Sequence, residues 1–119
     1  MQIKSFKDLS VWQRSIELVV ETYNITKRFP KSEEYGLSSQ MRRASVAIPS
    51  NIAEGYRRKG LGEYIHFLFI ANASASELET QLIISKRIYP QIDYRKIDSL
   101  LNEILKMLTS MISKLKSKQ

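Results

Sequence analysis

The chain has 119 residues, of which 43% are hydrophobic and 26% are charged, and this length supports one domain with a single hydrophobic core. We therefore interpret residues 1–119 as one domain. Cysteine is absent, which excludes disulfide bonds, thiolate metal sites and a cysteine nucleophile. The chain carries 19 Lys and Arg against 12 Asp and Glu, and the resulting net charge of +7 favours polyanionic partners such as RNA or DNA.

Hydropathy along the chain favours a protein of the cytoplasm. No apolar run approaches the roughly 18 residues that a membrane span requires. The first residues also lack the apolar stretch of a signal peptide. We therefore expect a cytoplasmic location and no membrane contact.

Apolar residues recur every three or four positions through most of the chain, which is the period of an amphipathic helix. Asp8 and Ser32 are candidate N-caps, and Pro30 and Pro90 mark two of the helix ends. The predicted helices cover residues 8–28, 32–58, 61–88 and 93–116. Four amphipathic helices joined by short connections predict an all-α fold, an antiparallel up-down four-helix bundle.

The second predicted helix contains a proline in its interior. Pro49 lacks the N–H that would bond the carbonyl of Ser45, so we expect a kink or a break there. Asn51 follows closely and is placed to satisfy backbone groups that the proline frees. Gly55 marks the exit from this helix.

The same helix carries the most informative basic segment, QMRRASVAIPSNIAEGYRRK. Its candidate nucleic-acid-binding residues are Arg42, Arg43, Arg57, Arg58 and Lys59. In one interpretation, these cations from several subunits pool into a patch that binds phosphates. In the other, they hold a bent helix and its exit turn in shape, with Glu54 paired to an arginine three or four positions later. Both interpretations stay open, because different arginines can have different roles.

The first helix has apolar residues on two sides. One stripe comprises Leu9, Trp12, Ile16, Val19 and Tyr23, and we expect it to face the core. Val11, Leu18 and Ile25 are spaced seven apart and lie roughly opposite. A monomer would expose these three residues, so we predict that they form an oligomer interface. The alternative is that three surface aliphatic residues are simply tolerated.

The titratable residues form no recognisable catalytic or metal site. His66 is the one histidine, and with Glu63 it forms half of the di-iron bundle pattern, which requires the Glu-x-x-His motif twice. The glycines match neither phosphate-loop nor dinucleotide fingerprints. We therefore predict that the protein is not an enzyme and has no metal and no cofactor.

Three long segments resemble one bacterial family, the four-helix bundle proteins encoded in 23S rRNA intervening sequences. The segments read FKDLSVWQRSIELV at residues 6–19, FPKSEEYGLSSQMRRASVAIPSNIAEGYRRK at 29–59 and EYIHFLFIANASASELETQL at 63–82. The IPSNIAEG core at residues 48–55 is highly specific. The third segment departs mildly from the family at Ala73, where glycine is frequent.

The resemblance implies an up-down bundle, a ring-shaped homopentamer and no established enzyme activity. A related branch, the accessory variability determinant proteins of diversity-generating retroelements, is a basic pentamer understood to bind nucleic acid and a reverse transcriptase. By that analogy we expect a homo-oligomeric nucleic-acid-binding or ribonucleoprotein accessory protein, whose partners are RNA, DNA, a reverse transcriptase or another protein. The alternative is a protein-interaction scaffold that binds no nucleic acid.

Overall fold

The computed structural model describes residues 2–119, which form four α-helices and no strand. The helices are α1 (Ser10–Thr26), α2 (Leu37–Tyr56), α3 (Leu61–Ile88) and α4 (Arg95–Lys116). Short 3-10 turns cover Phe6–Asp8 and Lys31–Glu33. The prediction of an all-α four-helix fold is confirmed, and the predicted bounds of the third helix agree with those of α3.

α1 and α2 begin later than the sequence predicts, because Asp8 and Ser32 lie within 3-10 turns, and α4 begins at Arg95 instead of residue 93. Asp8 closes a 3-10 turn, and its carboxylate accepts two backbone N–H groups of the preceding residues. α2 begins at Leu37 and not at Ser32. The carboxylate of Glu33 accepts the N–H of Leu37, and so satisfies one of the free donors at the start of α2.

Each helix packs against two others, since α1 and α3 both contact α2 and α4 but not each other. Thr26 at the end of α1 accepts a 2.8 Å hydrogen bond from Arg42, which is near the start of α2. Lys86 near the end of α3 bonds Asp98 near the start of α4 at 2.7 Å. The helices therefore occupy four corners in chain order, and the antiparallel arrangement stays a prediction.

The buried face of α1 is not the one that the sequence predicts. Val11, Leu18 and Ile25, expected outside as an oligomer interface, are only 2%, 0% and 2% exposed and belong to the core. Ile16 and Tyr23, expected in the core, are 39% and 38% exposed. The predicted exposure of the Val11, Leu18 and Ile25 stripe is therefore wrong, and within the chain this stripe packs against the other helices.

Small polar residues explain why the true core stripe is inconspicuous in the sequence. Ser15 and Thr22 lie between its aliphatic members and Thr26 follows the last one, and these three residues are 0%, 0% and 3% exposed. Each hydroxyl donates to the carbonyl four residues earlier, at 2.6 to 2.8 Å. A hydroxyl that is hydrogen-bonded within its own helix can be buried with little penalty. This side of α1 can therefore face the core although it contains three polar residues.

α2 continues as a helix through Pro49, so the predicted break there is wrong, whereas a kink stays a prediction. The side-chain amide of Asn51 donates to the carbonyl of Ala47 at 2.8 Å. The carbonyl that Pro49 deprives of its usual donor is that of Ser45. Asn51 thus strengthens the turn beside the proline and does not replace the missing bond.

Gly55 lies where α2 and α3 approach most closely at their shared end. A Cβ atom at this position would lie 2.7 Å from Cβ of Phe67 and 3.2 Å from both the ring and the carbonyl oxygen of Tyr64. Contacts this short require the helices to separate. The glycine of the IPSNIAEG segment therefore serves helix packing.

We expect the Gly55→Ala variant to lose about 1–3 kcal/mol of unfolding free energy, because the added methyl group has no space. Gly60→Ala is the matched control, since a Cβ at Gly60 would meet no atom within 4 Å. Urea denaturation of both variants measures the difference. Equal stability of the two variants would contradict this account of Gly55.

The far ends of the same two helices are joined by Glu33 and Tyr89. The Tyr89 hydroxyl donates to the Glu33 carboxylate, and its ring stacks on Phe29 with centroids 4.9 Å apart. This hydrogen bond raises the pKa of Tyr89 above its ordinary value near 10, because the bond requires the protonated hydroxyl. The stability of the fold is therefore expected to depend on pH in the alkaline range, where the Tyr89 hydroxyl loses its proton.

Since the pKa of Tyr89 is raised by folding, its contribution to stability is complete below about pH 10 and is lost as the pH rises through the folded value. We expect the unfolding free energy of Tyr89→Phe to be lower than that of wild type at pH 7, but to fall less steeply above pH 10. Denaturant unfolding between pH 7 and pH 11 measures both slopes. Tyr64, whose pKa is raised by burial, is present in both proteins and cancels in the comparison.

Candidate nucleic-acid interface

Three segments meet at one end of the bundle, which we call the basic end. The segments are residues 2–8, 54–63 and 114–119. The guanidinium carbon of Arg57 lies 5.0 Å from the centre of the Phe6 ring, which joins the first segment to the second. The amide of Gln119 lies beside Gly62, which joins the third segment to the second.

The basic end carries most of the net charge of the protein. Its eight cationic side chains are Lys4, Lys7, Arg57, Arg58, Lys59, Lys114, Lys116 and Lys118. Its three acidic side chains are Asp8, Glu54 and Glu63. Eight cations and three anions leave +5 of the total +7 in these segments, while the other residues hold 11 cations and 9 anions. Such a concentration favours binding of a polyanion.

Few of these cations are neutralised by neighbouring carboxylates. Arg58 pairs with Glu54 at 3.2 Å, as the sequence predicts, but both side chains are exposed and the pair contributes little stability. Among residues 2–119, the other seven cations have no carboxylate oxygen within 4.0 Å. The ion pairs Lys86–Asp98, Arg95–Asp93 and Lys96–Glu21 lie elsewhere.

Phenylalanine rings hold three of the cations in place. Arg57 lies over Phe6 at 5.0 Å, Arg58 over Phe67 at 4.9 Å and Lys116 over Phe69 at 5.0 Å. The negative face of each ring attracts the cation without using its hydrogen-bond donors. The donors of Arg57 and Lys116 thus remain available for the oxygen atoms of a phosphate group, whereas Arg58 also pairs with Glu54.

The start of α3 adds backbone donors to the same surface. Gly60 at the N-cap supplies no side-chain acceptor, so the first N–H groups of α3 have no cap. They lie beside an open depression lined by Arg57, Arg58 and Lys59 and also by Gly60, Gly62 and Glu63. A helix N-terminus next to three cations is a favourable environment for an anion.

The five cations predicted from the sequence do not form one patch within the chain. Arg42 lies about 22 Å from Arg57 along α2, at 1.5 Å per residue. Its Nε donates to Thr26 at 2.8 Å, and its guanidinium carbon lies 4.5 Å from the centre of the Tyr23 ring. Arg42 therefore braces α1 against α2, whereas Arg43 is exposed and has no ion-pair partner among the described residues.

The sequence-based prediction missed the lysines contributed by the two ends of the chain, Lys4, Lys7, Lys114, Lys116 and Lys118. A usable signal was present in the predicted topology. An up-down bundle places both termini and the α2–α3 turn at one end. Counting the charge of each end, rather than of each segment, would have grouped these lysines with Arg57, Arg58 and Lys59.

Other features of the sequence have simpler surroundings. His66 is exposed, and its ring lies edge-on to that of Phe67 with ring centres 5.8 Å apart. Residues 2–119 contain no group of three or more His, Asp and Glu side chains arranged to hold a metal ion. None of the helices described here has the length and apolar character needed to cross a membrane.

The fold and its charge distribution define a basic all-α four-helix bundle. Residues 7–110 match the family described as 23S rRNA-intervening sequence protein, and the chain belongs to this family. A crystal structure of a protein of unknown function from the S23 ribosomal protein family of Bacteroides thetaiotaomicron is similar, with a TM-score of 0.77 and 30% identity. The match covers 86% of this chain and 97% of that chain. A comparison with curated proteins finds no match.

The position of Arg42 predicts a structural role that differs from that of its neighbour. We expect Arg42→Ala to lose about 1–2 kcal/mol of unfolding free energy, since it removes a charged hydrogen bond and a cation–π contact. Arg43→Ala is the control with the same change of charge, and we expect an effect within about 0.5 kcal/mol. Thermal unfolding compares the two variants. Equal losses would contradict the bracing role of Arg42.

Proposed function

We propose that this protein is a non-enzymatic, homo-oligomeric nucleic-acid-binding protein whose basic end contacts phosphate groups. The observation that carries this proposal is the presence of +5 of the +7 net charge in three short segments at one end. Arg57, Arg58 and Lys59 form the centre of the proposed site. The lysines near the two chain ends extend it on both sides.

The chemistry of the site favours contacts to the nucleic-acid backbone over contacts to bases. Lysine and arginine donors suit phosphate oxygens, and such contacts carry no direct sequence information. The three phenylalanine rings at this end are each covered by a cation of the chain itself. We therefore propose binding that depends on backbone charge and shape, with structured RNA as the first ligand to test because the family is named for 23S rRNA.

Three exposed lysines of the basic end can be replaced without disturbing the core, which allows a test of the proposed binding site. We expect the variant with Lys59, Lys114 and Lys118 replaced by Gln to bind a structured RNA at least about tenfold more weakly at 50 mM salt. The dependence of log affinity on log salt should become shallower by about two to three. Fluorescence anisotropy at several salt concentrations measures both quantities.

The control replaces Lys27, Lys31 and Lys106, three exposed lysines outside the basic end, by Gln, with the same change in net charge. We expect this variant to bind nearly as well as wild type. Equal losses in both triple variants would show a diffuse charge effect and reject the basic end as the site. Undetectable binding of RNA and DNA by the wild type at low salt would reject the function.

A protein-interaction scaffold is the second candidate function. It is favoured by exposed apolar residues on the outer sides of three helices, among them Val20, Val46 and Ile84 at 57%, 42% and 44% exposure. A reverse transcriptase or another protein as partner stays a prediction from the family resemblance. A protein partner that is retained after nuclease treatment, in a protein that binds no nucleic acid, would favour the scaffold.

A further inference from the structure

A cleft of about 310 Å³ lies between the end of α1 and the start of α2, and we call it the α1–α2 cleft. Its lining includes Lys27 and Lys31 of the connecting segment and Ser38 and Arg42 of α2. Ser38 lies about 28 Å from Arg57 along α2, at 1.5 Å per residue, so the cleft is separate from the basic end. A volume of this size is sufficient for a small organic ligand.

Ser38 is a buried polar residue that lacks a partner. It is 5% exposed, and its hydroxyl makes no hydrogen bond with any of residues 2–119. The other buried serine and threonine hydroxyls all donate to a carbonyl of their own helix; they belong to Ser15, Thr22, Thr26, Ser45 and Ser85. A buried hydroxyl without a hydrogen bond is costly. Because Ser38 lines the α1–α2 cleft, it points to a partner that enters there.

Three cations of the cleft also lack a partner for their charge. Among residues 2–119, no carboxylate oxygen lies within 4.0 Å of Lys27, Lys31 or Arg42. Arg42 bonds Thr26 through Nε, and its two terminal nitrogens make no hydrogen bond with the described chain. The exposed Glu34 lines the cleft as well, with no cation within 4.0 Å of its carboxylate. Three cations and one carboxylate leave a charge of +2 in the cleft.

We propose that the α1–α2 cleft binds a small phosphate monoester, whose oxygens accept hydrogen bonds from Ser38 and from the terminal nitrogens of Arg42. Such a group carries about −1.5 to −2 charges at pH 7, which matches the charge of the cleft. The planar end of an arginine side chain suits phosphate oxygens. Phe29 and Pro30 add apolar atoms to the lining and can contact the organic part of the ester. The inference goes beyond the proposed function and is independent of nucleic-acid binding at the basic end.

Ser38→Ala separates a ligand-binding role from a structural one. Because the hydroxyl has no partner in the unliganded protein, its removal should leave the urea unfolding midpoint unchanged or raise it. We expect the affinity for phenyl phosphate, measured by isothermal titration calorimetry, to fall about tenfold. Ser45→Ala is the matched control, since Ser45 is 0% exposed on the same helix and its hydroxyl already bonds the carbonyl of Arg42 at 2.9 Å. This variant should bind phenyl phosphate as wild type does.

Charge variants distinguish the α1–α2 cleft from the basic end. The variant with Lys27, Lys31 and Lys106 replaced by Gln should bind phenyl phosphate at least about tenfold more weakly, and should bind a 5′-hydroxyl RNA nearly as wild type does. The triple lysine variant of the basic end should show the opposite pattern. Methyl phenyl phosphate, a diester with one negative charge, should bind wild type at least about tenfold more weakly than phenyl phosphate.

The same phosphate group occurs at the 5′ end of an RNA. A short oligonucleotide, prepared with a 5′-phosphate and with a 5′-hydroxyl, distinguishes this source from a free small molecule. Tighter binding of the phosphorylated form that Ser38→Ala abolishes would identify an RNA end as the ligand. Equal affinities of the two forms, with phenyl phosphate bound, would identify a free monoester.

Four outcomes overturn the proposal. The first is no binding of phenyl phosphate by wild type at millimolar concentrations, and the second is an equal affinity of wild type and Ser38→Ala. The third is an equal affinity for the monoester and the diester, which would reject the match of charge. The fourth is an equal loss of phenyl phosphate binding in both triple lysine variants, which would show a diffuse charge effect. RNA binding that persists in any of these cases leaves the function proposed for the basic end intact.

Discussion

The close approach of α2 and α3 at Gly55 is the constraint on which the rest of the structure depends. With no side chain at position 55, Phe67 and Tyr64 can pack directly against the backbone of α2. The chain can then turn within a few residues and enter α3 at Leu61. That short turn places Arg57, Arg58 and Lys59 at the end of the bundle, beside the two segments that carry the other lysines of the basic end. Helix packing and the location of positive charge therefore have a common origin.

The periodicity of the sequence predicted the four helices. It predicted the wrong buried face for α1, where two stripes compete. Bulky residues such as Ile16 and Tyr23 suggest a core-facing side. The stripe that is actually buried contains serine and threonine, whose hydroxyls donate hydrogen bonds to carbonyls of the same helix. A hydropathy pattern reflects only the residue type and does not include these hydrogen bonds. The buried side of α1 could therefore be identified only from its packing in three dimensions.

The candidate site was predictable in part. The basic segment of α2 pointed to Arg57, Arg58 and Lys59, but proximity in sequence also included Arg42, which is bonded to Thr26. Within a helix, residues fifteen positions apart are separated by several turns, so one segment cannot form one patch. The lysines near the chain ends join the site through topology. Their role was hidden because the two ends are far apart in sequence and adjacent in space.

The uneven distribution of charge has a consequence for how the molecule approaches a ligand. A particle 46 Å long with its excess cations at one end has a large electric dipole along its length, even though its net charge is moderate. The field of a polyanion exerts a torque on such a dipole before contact and turns the cationic end forward. Because screening at physiological salt acts over about 8 Å, the leading end dominates the attraction. Orientation on approach, and not only strength of attraction, is thus determined by where the chain places its lysines.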